Sequence, residues 1–289
     1  MKAKAIFGRI YGSALVFIFI YLLAFPSEAA ATTESAVELC LKTLIPSLFI
    51  YTVLSKIIVS LPIINKSASV IGIAPITLFV GLLCGAPLGA KTAAELYESG
   101  SISKKYAEYL CSFCNNASLP FVVGFVGGRL FQSTEIGLRL FAYQLAGSLF
   151  AAVVMRIYIF GFKRINEKPR SATKRVPLQT ALREAVGVMA SICACATFFS
   201  VLASVTARLL PFPFSLLIGC LLEFSSGCVS ASRHGEIGVV LAALSIGLLS
   251  ASVAMQVRSV TNGRLSLKPY LLGKLLCGGV SVLLAVIFG

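Results

Sequence analysis

Four short stretches combine residue types that could hold an ionic ligand inside an otherwise apolar chain. "CNNASLP" (Cys114 to Pro120) places Asn115, Asn116 and Ser118 just before a proline, which removes a backbone donor and leaves carbonyls free nearby. "GAPLGAK" sets Gly85, Pro87 and Gly89 ahead of Lys91. A helix restarting there would present free N–H groups and partial positive charge beside an ammonium, a combination suited to a carboxylate. "LEFSSG" (Leu222 to Gly227) carries Glu223 with Ser225 and Ser226, and "IGLLSASVAMQ" (Ile246 to Gln256) adds Ser250, Ser252 and Gln256. The expected chemistry is binding, not bond making. All 11 acidic residues are Glu, His234 is the single histidine, and neither HExxH nor GxSxG occurs, so no catalytic residue, metal ligand or cofactor is expected. Each feature also has a plain structural reading: serines pack membrane helices, Lys91 could snorkel to the surface, adjacent amides bond between helices, and Glu223 could pair with Lys91 or Arg233.

The surrounding composition decides which solvent these residues sit in. Hydrophobic residues make up 57% and charged residues 12% of 289 positions, and the mean hydropathy is +0.92. Such a chain is an all-α polytopic membrane protein rather than a soluble domain. The net charge of +14 lies in loops between apolar segments, so it points to orientation in a lipid bilayer and not to nucleic acid. Of the nine cysteines, Cys84, Cys193, Cys195, Cys220 and Cys277 fall within apolar segments; free thiols acting as small hydrophobes are expected, and no disulfides. Cys111 and Cys114 form a CxxC without the second ligand pair that a metal site requires.

Apolar segments run over residues 10–25, 37–64 (with Pro46), 70–83, 107–126, 137–160, 182–210, 212–222, 237–257 and 270–288. At 1.5 Å per residue, 70–83 and 212–222 fall short of a hydrocarbon core of about 30 Å. If each turns at its Gly/Ser-rich end and returns to its own side, the basic loop 161–180 is cytoplasmic together with Lys104, Lys105, Arg258, Arg264 and Lys268. Of the 25 Lys/Arg, only Lys42, Arg129, Arg139, Arg208 and Arg233 then face the other side, with Lys91 at a turn. Full crossing by 70–83 would put the six charges of the basic loop outside, against the positive-inside rule. The N-terminal run with Lys2, Lys4 and Arg9 and the following "SEAAA" resembles a signal peptide. We read it as a retained first helix with a cytoplasmic N-terminus.

An internal repeat supports the turns. "PITLFVGLLCGAPLG" (Pro75 to Gly89) aligns with "PFSLLIGCLLEFSSG" (Pro213 to Gly227), placing Gly81 on Gly219 and Gly89 on Gly227. The expected organisation is one membrane transport domain over 1–289: an N-terminal helix (1–35), repeat 1 (36–160), the basic loop (161–180) and repeat 2 (181–289). On this topology the repeats are inverted, each with a re-entrant helical hairpin and an unwound transmembrane helix, an architecture that sets a binding site near the midplane. Irregular backbone at that depth must line protein or a wet cavity. Lys91, Asn115 and Asn116 are then anion ligands, Ser225 and Ser226 close the site, and Glu223 carries a coupling proton, because an ionised Glu223 would repel the anion.

The stretches 44–55, 85–127 and 222–227, with "SLKPYLLGKLL" (Ser266 to Leu276), resemble the nucleoside recognition (Gate) domain family, and more closely its sporulation integral membrane protein branch. The wider family is similar to concentrative nucleoside transporters, which implies two hairpins facing two unwound helices. The sporulation branch implies movement of dipicolinate across the outer forespore membrane, in a secondary transporter whose partners are a small organic anion and the bilayer. The Gln-Thr-Glu tip of true nucleoside transporters is absent. A transporter of nucleosides or of another organic anion, and a non-transporting scaffold of the sporulation machinery, remain the rival readings. Assembly as a homo-oligomer stays open.

Overall fold

The computed structural model describes residues 2–61, 71–163, 165, 167 and 176–289. The start of the expected segment 70–83, and Arg164, Lys168, Arg170, Lys174 and Arg175 of the basic loop, lie outside the described residues. Every regular element described is helical, and five stretches are long and apolar enough to cross a bilayer: Pro26–Ile58, Thr134–Phe160, Leu178–Leu209, Gly235–Val260 and Leu267–Phe288. The chain is an integral membrane protein.

Helix α1 (Lys2–Ala24) ends where Pro26 opens α2 (Pro26–Leu39). A π turn (Cys40–Leu44) joins α2 to α3 (Ile45–Val59), with Pro46 in the first turn of α3; the widened turn absorbs the bond that a proline ring cannot make. The expected boundary at 35/36 falls inside α2, as does "SEAAA". Two short helices follow, α4 (Ile73–Cys84) and α5 (Leu88–Glu98), which part at Gly85 with φ +83°. At 12 residues α4 is about 18 Å long, too short to span. Gly100 (φ +69°) ends the pair, and Ser103 caps α6 (Lys104–Cys114) by accepting from the Tyr106 amide at 3.3 Å.

Residues 115–118 are not helical. Pro120 opens a π-helix (Pro120–Leu130), and the long α7 (Thr134–Phe160) follows. The same order then recurs: long α8 (Leu178–Leu209), the short pair α9 (Phe214–Leu222) and α10 (Phe224–Ala231), a span interrupted at Leu249 between α11 (Gly235–Leu248) and α12 (Ser250–Val260), and long α13 (Leu267–Phe288). Small residues set the helix crossings. A Cβ on Gly147 would lie 2.6 Å from the Cys277 carbonyl, one on Gly247 2.7 Å from the Gly278 Cα, and one on Gly273 2.0 Å from the Ser112 carbonyl, so α13 sits close against α6, α7 and α11. Val153, Leu283 and Ile287 are exposed on the outer faces of α7 and α13, as lipid contact requires.

Candidate substrate site

The first non-helical stretch is held open by side chains. Gln144 of α7 reads Ala117 as a neighbouring strand would: its Oε1 accepts from the Ala117 amide at 2.8 Å and its Nε2 donates to the Ala117 carbonyl at 3.0 Å. Asn116 donates from Nδ2 to the Phe113 carbonyl at 2.8 Å, and its Oδ1 accepts from Ser148 Oγ at 2.7 Å and Lys274 Nζ at 2.9 Å. Ser118 Oγ accepts from the Phe121 amide at 3.3 Å. All of these groups are buried. Asn115 is fully buried with neither amide atom bonded, beside the Tyr270 hydroxyl, which also lacks a bond of ordinary geometry. Among the described residues Lys274 has no carboxylate within ion-pair distance.

The Gly85 tip is seated on this opening. A Cβ on Gly81 would lie 1.6 Å from the Cys114 carbonyl, one on Gly89 2.1 Å from the same atom, and one on Gly85 3.1 Å from Ser118 Cβ. Of the expected tip residues, Gly85 and Gly89 therefore touch the stretch that carries Asn115, Asn116 and Ser118. Pro87 immediately precedes α5.

The second interruption lies in α11–α12, where Leu249 and Ser250 take left-handed φ values of +56° and +45°. The hydroxyls of Ser245, beside the Cys220 thiol, and Ser250 are buried without bonds of ordinary geometry, and Gln256 Nε2 lies 3.4 Å from Ser252 Oγ. Glu223, at 1% exposure, caps α10: its carboxylate accepts from the Ser226 amide at 2.6 Å. It pairs with neither Lys91 nor Arg233. Ser225 Oγ is buried beside the Glu223 carboxylate without a bond of ordinary geometry, while Ser226 Oγ lies 3.5 Å from Ser200 Oγ of α8. The two halves interlock. Phe224 of α10 packs on Phe121 of the π-helix with ring centroids 5.1 Å apart, and α12 packs on α5.

Lys91 is where geometry departs from expectation. Its ammonium lies 2.8 Å from Glu184 of α8, which also holds Lys56 of α3 at 2.9 Å, and Lys56 in turn pairs with Glu95. A carboxylate 93 positions away in sequence thus occupies the lysine assigned to the anion. The cation at the first opening is Lys274, together with Gln144 the residue that sequence reasoning passed over. The signal was present, since Lys274 follows seven residues after the start of α13, roughly 10 Å along a membrane helix. Cys111 and Cys114 are buried free thiols, and no group of three or more His, Cys, Asp or Glu among the described residues could hold a metal.

Comparison with known proteins adds one relationship. The chain is 25% identical over 169 residues to the sporulation integral membrane protein YlbJ of Bacillus subtilis (strain 168), a match covering 55% of this chain and 41% of that protein. The matched region thus spans about two fifths of the relative's length. No family model matches the chain, and no solved structure matches it.

Proposed function

We propose, from this kinship and from the two polar openings, that the chain is a secondary transporter of a small aromatic dicarboxylate, dipicolinate first, acting in the outer forespore membrane during sporulation. The short pairs α4–α5 and α9–α10 are re-entrant hairpins, each facing an unwound span, and the halves 36–160 and 181–289 are inverted repeats of the Gate type. The observation that carries the reading is the pair of openings: residues 115–118 and Leu249–Ser250 interrupt two spans where each meets a short helix pair. Irregular backbone at membrane depth lies against protein or a wet cavity, and in transporters of inverted repeats such broken spans form the binding site. Lys274, Asn115 and Asn116 supply the anion ligands at the first opening; Ser118, Ser225, Ser226, Ser250 and Ser252 supply neutral donors, and Glu223 carries the proton.

Purified protein in proteoliposomes tests this. Dipicolinate uptake driven by a proton gradient, competed by phthalate and not by uridine, is the expected result. Glu223→Gln keeps an acceptor for the Ser226 amide and removes the titrating proton, so its uptake should lose its pH dependence while the protein stays folded. Absence of flux in folded protein would leave the scaffold reading standing.

A further inference from the structure

Outside the two openings the molecule holds a cavity of about 660 Å³, walled by α2 and its π turn, α8, the α9–α10 pair and the end of the π-helix. This volume lies within the range of small-molecule sites. The charges around it do not balance. Lys42 is taken by Glu38 at 2.5 Å, whereas Arg129, in the last turn of the π-helix, has no carboxylate partner among the described residues. An uncompensated guanidinium on a concave, partly apolar wall concentrates anions, and its planar fork suits a carboxylate. Phe125 and Phe212 give the wall aromatic surface, and it reaches the hydroxyls of Ser200 and Ser226, the latter three residues beyond Glu223.

Gly219 marks the cavity as vacant space rather than loose packing. A Cβ there meets nothing within 4 Å, yet a Cβ on its aligned counterpart Gly81 would lie 1.6 Å from the Cys114 carbonyl. The first arm of one hairpin is packed, and the equivalent arm of the other faces a void.

We propose that this cavity binds a small aromatic carboxylate, with Arg129 as its charge partner and Ser200 and Ser226 as hydroxyl donors. The site is reached from the non-cytoplasmic side, a direction that rests on the transporter topology above. Binding of phthalate, dipicolinate and uncharged phthalamide to the full-length protein in detergent, by calorimetry and thermal shift, tests the site. Wild type should bind both carboxylates and not phthalamide. Gly219→Leu fills the void and replaces a helix-interior glycine, so it should melt no lower than wild type while weakening carboxylate binding at least tenfold. Arg129→Gln should weaken it by a similar factor. No carboxylate binding by folded wild type, or unchanged affinity in either variant, overturns the proposal. Proteoliposome flux separates it from the transport reading: binding abolished by Gly219→Leu without flux in wild type keeps the cavity site and sinks transport, and flux in wild type with carboxylate affinity unchanged in both variants does the reverse.

Discussion

Lys274 is an ammonium buried at 2% exposure that, among the described residues, hydrogen-bonds Asn116 Oδ1 and no other side chain. A charge at the centre of a membrane helix costs about 2.5–3.5 kcal/mol on insertion scales, and one neutral acceptor offsets only part of that. A structural role would therefore be poorly served, because Met of similar length packs there without the charge. Lys274→Met should melt at or above the wild-type temperature in a detergent melt and abolish dipicolinate uptake; a lower melting temperature with uptake retained would reduce Lys274 to a helix fastener. Asn116→Ala acts the other way. It strands the Lys274 ammonium, the Ser148 hydroxyl and the Phe113 carbonyl together, and should cost about 2–3 kcal/mol, read as a drop in melting temperature.

At the scale of elements, the tip of α4–α5 and the 115–118 stretch fit through missing side chains. Gly89→Ala would push a methyl to 2.1 Å from the Cys114 carbonyl and 3.2 Å from the Asn115 Cα. Overpacking of this kind costs about 1–3 kcal/mol, whereas Gly219→Ala meets open space and should be neutral or stabilising by up to about 1 kcal/mol. Thermal melts of the two variants side by side check the contrast, and equal losses would refute the close fit. This difference also marks the limit of legibility. Gly85, Pro87 and Pro120 break helices by their own covalent chemistry, so the first tip and first opening were readable in the sequence. Leu249 and Ser250 lie in "LLSAS", with no glycine or proline between them; neighbouring packing, with Leu248 against Gly278, accompanies a left-handed turn that local sequence does not announce. Repeat alignment pairs Gly81 with Gly219, but whether a glycine faces a carbonyl or a void depends on the rest of the bundle. The Lys91–Glu184 pair was out of reach for the same reason: it exists only once α5 and α8 are adjacent.

Across the whole molecule the two ends differ. At one, Lys56, Glu95, Glu184 and Lys91 tie α3, α5 and α8 together, and Arg264 reaches Glu98 at 2.9 Å. Lys42 lies just before α3 and Lys56 in its last turn, so the Arg129 cavity lies about 20 Å away along the helix at the opposite end. On the proposed transporter reading, ion pairs on one side and a hollow on the other describe a state open toward the hollow side, which is the non-cytoplasmic face only if the α4–α5 pair returns to the side it came from. Phe162, 90% exposed after α7, and Gln132, exposed before it, lie at the two ends of that span. In a cysteine-depleted background, a membrane-impermeant maleimide should label Gln132→Cys in intact cells and Phe162→Cys only after lysis. Full crossing by α4–α5 would exchange the two patterns, put the basic loop outside, and turn the hollow toward the cytoplasm.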